Sequence, residues 1–129
     1  MRIETDLDGK TVGAIERHYF HAREKHPYFC DMLNPRWMTP KQRSFKIAVT
    51  LSTLRQQIKK QVEQGCVMWD ALLDCEVWEV HEAIECGQPE YAVEECYDAI
   101  AVLLRVIDIL EGRQELGRPE ERGDLCHEN

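Results

Sequence analysis

Apolar residues return every three or four positions through most of the chain, and no stretch alternates apolar with polar residues long enough to make a strand. The expected class is therefore all-α, with turn signals dividing the chain into four helices. The first is predicted from about Thr11 to Lys25, ahead of "HPYFCDMLNPRW", whose two prolines and mixed aromatics read as an ordered loop. "TPKQ" opens the second: Thr39 suits the N-cap, Pro40 the first helical position, and Gln42 the reciprocal place of a capping box. Ile47, Leu51, Leu54, Ile58 and Val62 then form one apolar stripe that ends near Gly65. The third helix begins between Val67 and Asp70 and ends at Cys86, because Gly87 suits the left-handed residue after a helix. Pro89 suits the first turn of the next, so a tight helical hairpin is expected.

The fourth helix, from Pro89 to about Glu111, contains "AIAVLLRVIDIL", apolar around most of its circumference. Such a helix must be covered on more than one side, and a chain this small offers few partners of its own. A homo-oligomer is the expectation. Residues 1–112 are thus read as a single all-α domain, and 113–129, polar and punctuated by Gly and Pro, as an extended or disordered tail.

Composition narrows the setting. With 129 residues, 43% of them hydrophobic, and no run of eighteen apolar residues, a membrane span is not expected. The acidic start "MRIETDLDGK" lacks a secretory profile, which points to the cytoplasm. Six cysteines without a C-x-x-C pair argue against a zinc knuckle or disulfide framework and are expected to be buried thiols. The net charge of −8 disfavours a nucleic-acid polymer as partner, because phosphate-backbone binding needs surplus Lys and Arg. Small phosphorylated ligands stay open, since carboxylates can recruit a metal ion that holds them.

One local conflict carries the chemistry. Glu76 with Glu79, and Glu95 with Asp98, are i,i+3 pairs on helical faces. Leu72, Leu73, Val80 and Ala83 flank the first pair, while Tyr91, Val102 and Ile109 share the face of the second. At about 1.5 Å per residue, both pairs lie roughly 9 to 12 Å from the hairpin turn, level with one another. Four inward acids would repel at a cost of several kcal/mol or be driven to protonate. A hard divalent cation resolves this, because the donors are all oxygen; Mg²⁺ is the default, with Mn²⁺ as a substitute. The bland alternative is chance: 24 acids will produce some i,i+3 pairs, and Glu82, Glu85, Glu90 and Glu94 make the solvated faces acidic too. A di-iron bundle would want Glu-x-x-His on helices, and only Asp124 and His127, in the tail, come near that spacing.

At these residues the chain resembles the MazG-like all-α NTP pyrophosphohydrolase superfamily. The signature is E-E-x-x-E, a spacer, then E-x-x-D. Here the halves are "CEVWE", Cys75 to Glu79, and "ECYD", Glu95 to Asp98, with fifteen residues between them. Similarity covers roughly Gln61 to Arg113, and within the superfamily the stretch is most similar to members described as dATP/dGTP pyrophosphohydrolases.

The resemblance implies that Glu76, Glu79, Glu95 and Asp98 bind Mg²⁺ and that a (d)NTP, of purine dNTP type, is cleaved between its α and β phosphates. The products would be a nucleoside monophosphate and pyrophosphate. It also implies a homodimer or homotetramer. One departure stands out, since Cys75 occupies the place of the first Glu. Glu79, with Glu76, is the expected catalytic pair, Glu79 orienting the attacking water. Arg105, two turns beyond Asp98, is a candidate phosphate contact against an interface salt bridge, and Arg55 with Lys59, beside the stripe of the second helix, are the next candidates against a solvated face. Trp69, one turn before the carboxylate face, is a candidate for stacking on a purine, as are Trp37 and the aromatics of "HYFHAREKHPYF", with a core or interface role the favoured alternative for each. The rival reading from another class is a helical oligomerisation or regulatory nucleotide-binding module without turnover, and Cys75 is its best support.

Overall fold

The computed structural model describes residues 8–29 and 38–114, and every regular element among them is an α-helix. The four are α1 (Gly9–Lys25), α2 (Pro40–Glu63), α3 (Trp69–Glu85) and α4 (Pro89–Leu110). The chain divides into two compact units, residues 1–32, which hold α1, and 33–129, which hold α2 to α4. The expected tail lies outside the described residues, apart from Arg113 and Gln114.

α1 begins two residues earlier than expected, because the Asp8 side chain accepts from Lys10 N at 2.9 Å and caps it. Val12, Ile15, Tyr19 and Phe20 are exposed, and Tyr19 meets Phe20 edge-on while Arg23 lies 5.6 Å over the Tyr19 ring.

In the larger unit the predicted helix ends are met closely. Thr39 caps α2 in a full capping box: Gln42 N donates to Thr39 Oγ1 at 3.1 Å, and Thr39 N donates to Gln42 Oε1 at 2.9 Å. α3 ends in a Schellman arrangement, with Gly87 N donating to the Ile84 carbonyl and Gln88 N to the Ala83 carbonyl, both at 3.0 Å. Gly87 has φ of 68°, a conformation only glycine adopts cheaply, and Pro89 starts α4 two residues later. The same device closes α2 at Gly65 and α4 at Gly112.

α3 is the middle helix, packed on α2 along one side and on α4 along another. Ile47 and Leu51 of α2 meet Cys75 of α3 in the core, with Leu54, Ile58 and Trp78 packed around them. Lys46 Nζ lies 5.7 Å from the Trp78 ring, which stacks on His81. Burial, then the nearby Arg43 and Lys46, hold the His81 pKa below its ordinary value. Beside the turn the buried residues of α3 and α4 are small, Ala83 and Ala92. Most of α4 faces outward: Val93, Tyr97, Ile100, Leu103 and Leu110 are exposed.

The cysteine expectation needs correction. Cys75 is a buried free thiol, but Cys86 and Cys96 are exposed, the first at the C-cap of α3 and the second on the outward side of α4. Cys66 is disulfide-bonded rather than a thiol. No helix among the described residues is long and apolar enough to cross a membrane.

Candidate functional site

The hairpin brings three carboxylates together. Glu76 and Glu79 project from α3 towards Glu95 of α4, and one oxygen from each lies within 4.8 Å of the others. Equal heights on two antiparallel helices produce this, as the count of residues from Gly87 requires. Glu95 is the deepest of the three, with 6% of its surface exposed, and its Oε2 has no hydrogen-bond partner; neither has the buried Oε2 of Glu76.

Like charges at this spacing cannot all ionise cheaply. Burial, then the Glu79 hydrogen bond and charge, then Glu76, push the Glu95 carboxyl up to about 7. Burial and the charge of Glu79 also raise Glu76, while its hydrogen bond with Glu95 pulls the other way. The donor set is all oxygen, two of its oxygens are buried and unpartnered, and three carboxylates crowd together. Those properties fit a hard divalent cation.

Asp98, expected as a fourth member, stands outside the group and is exposed. Three residues beyond Glu95 the helix has turned the side chain towards the edge of the α3–α4 contact, where solvent reaches it. Its charge still acts on Glu76.

The basic candidates divide. Arg55 and Lys59 line an open groove of about 410 Å³ with Ser52, Gln56 and Glu82, on the α2–α3 side. Arg55 Nη2 lies 3.5 Å from Glu82 Oε1, and its charge also reaches Cys75. Arg105 is exposed and forms no ion pair among the described residues. Trp69 is half-exposed at the first residue of α3. Counting from the turn, Trp69 and Arg105 fall level with each other, roughly 10 to 15 Å farther out than the acids.

Two residues were not anticipated. Glu82 had read as a solvated acid and instead partners Arg55 in the groove. Cys75 had read as a substitution for a glutamate; its Sγ–H donates to Glu79 Oε1 at 3.1 Å from within the α2–α3 core. Burial foremost, then that hydrogen bond, push the thiol up to about 12. The i,i+4 spacing of Cys75 and Glu79 was the available signal.

Comparisons with protein-family models, curated proteins and solved structures return no match to this chain.

Proposed function

We propose that the protein is a divalent-cation-dependent nucleotide pyrophosphohydrolase of the MazG-like kind, cleaving a (d)NTP between its α and β phosphates. The observation that carries this reading is the Glu76–Glu79–Glu95 group, in which Glu95 is buried and its Oε2 has no hydrogen-bond partner. Glu76, Glu79 and Glu95 would hold Mg²⁺ or Mn²⁺, with Asp98 close by. Such an ion supplies charge neutralisation on phosphate oxygens, the main requirement of phosphoryl chemistry.

The chain's own residues supply the rest. Arg55 and Lys59 offer fixed positive charge to phosphate oxygens along the α2–α3 groove, and Ser52 and Gln56 offer neutral donors. Glu79 orients the attacking water. Arg105 and Trp69, at one level of the α3–α4 pair, would contact the far end of the nucleotide. The outward apolar face of α4 supports a homo-oligomer in which a second copy covers it.

The test is pyrophosphate release by the purified protein from the common NTPs and dNTPs, with Mg²⁺ and with EDTA. Release that requires Mg²⁺ and falls at least about 100-fold in Glu79→Ala is expected, the scale of removing one group from a transition-state site. If no nucleotide is turned over although Mg²⁺ and nucleotide both bind, the protein is the non-hydrolysing nucleotide-binding module instead.

A further inference from the structure

Among the described residues, Glu79 is the one member of the carboxylate group held by a side chain from outside it. The donor is Cys75, 5% exposed, one turn earlier on α3. We infer that Cys75 is a positioning residue for Glu79: its thiol, anchored in the α2–α3 core, holds the Glu79 carboxylate in the place from which it binds a divalent cation. This rests on the reading of the group as a cation site.

Three observations carry it. The sulfur lies 3.1 Å from Glu79 Oε1, well within hydrogen-bond reach for sulfur, and a carboxylate oxygen can only accept, so the thiol is the donor. Cys75 Sγ is not among the clustered ligand atoms, which are all carboxylate oxygens, so the thiol acts through Glu79 and not on the ion. Finally, Cys75 packs with Ile47 and Leu51 of α2, residues that are 2% and 1% exposed. A long, flexible glutamate is thereby tied to the buried core of the unit. Outer partners of this kind fix ligand orientation.

A neutral donor at position 75 also keeps a further negative charge out of the group. Glu76, Glu79 and Glu95 already bring three carboxylates within 4.8 Å of one another. Holding the third ligand by a thiol adds order without adding repulsion.

The experiment is calorimetric titration of the full-length protein with Mn²⁺ alone, without nucleotide, for wild type, Cys75→Ala and Cys75→Ser. The unfolding midpoint of each is measured in EDTA. Cys75→Ala should bind Mn²⁺ at least about 10-fold more weakly than wild type, as loss of an outer-shell partner does. Cys75→Ser, which keeps a donor, should recover most of that affinity while both variants unfold at similar temperatures in EDTA. Should Cys75→Ala fail to fold, Cys75→Val fills the space without a donor and takes its place. Equal affinity in wild type and the donor-free variant overturns the positioning role while leaving the cation site standing, as does equal weakening in Ala and Ser. Wild type that binds no Mn²⁺ overturns the cation site and this inference with it.

Discussion

Glu95 is the residue at which folding and chemistry conflict most. It is buried, its Oε2 is unpartnered, and its carboxyl is pushed up to about 7 by burial and by Glu79 and Glu76. A carboxyl whose folded pKa lies above its unfolded value of 4.5 favours the folded state in its protonated form. That stability is fully present below about pH 4.5 and is lost as pH rises through about 7. In EDTA, wild type should therefore lose thermal stability relative to Glu95→Gln between those pH values. Glu95→Gln should be the more stable of the two at pH 8. Added Mg²⁺ should raise the wild-type midpoint at pH 8 and leave Glu95→Gln almost unmoved, because the amide keeps the shape and loses the charge. Melting curves across pH, with and without Mg²⁺, check all three statements. A wild-type curve parallel to that of Glu95→Gln would remove the strain from the site.

Among the elements, α3 has the most to satisfy, since it presents Cys75 and Trp78 to α2 and Glu76 and Glu79 to α4. The α2–α3 contact depends on few residues, and Leu51 is the largest side chain that is fully buried. Leu51→Ala should cost about 2–5 kcal/mol, measured by urea unfolding, because the surrounding helices cannot fully collapse onto the gap. A cost below about 1 kcal/mol would mean the contact is looser than its burial implies. The helix ends and the meeting of Glu76, Glu79 and Glu95 were legible in the sequence because they depend on local rules: caps at Thr39, Gly87 and Pro89, and residue counts from one turn. Three features were not legible for a common reason. The exposure of Asp98, the Arg55–Glu82 pair and the thiol bond to Glu79 depend on how far each helix is rotated against its neighbour. Periodicity defines a face to within a broad arc, whereas a hydrogen bond needs a few tenths of an ångström.

For the whole molecule, the unresolved cost is the outward side of α4. Val93, Tyr97 and Ile100, all exposed, and Leu104 and Ile107, half-buried, fall along one stripe at helical spacing, on the side of α4 away from Glu95. A stripe of this length is the seam that two helices share when they pack along their axes. Ile100, 49% exposed, sits at its centre. The net charge of −8 opposes association at low salt, so the seam must supply enough apolar burial to exceed that repulsion, and added salt should favour it. Under the oligomer proposal, light scattering on a sizing column should give a dimer or larger for wild type at micromolar concentration. Ile100→Glu should shift it to monomer, since it would place a charge from each copy in an apolar seam. Glu95 lies on the other side of α4, where it meets Glu76 and Glu79 of α3, so under the cation-site proposal Ile100→Glu should still bind Mn²⁺ in the monomeric form. A wild type that remains monomeric at high salt would remove the second copy from the fold. Loss of Mn²⁺ binding together with the oligomer would instead mean that the cation site is completed across the seam.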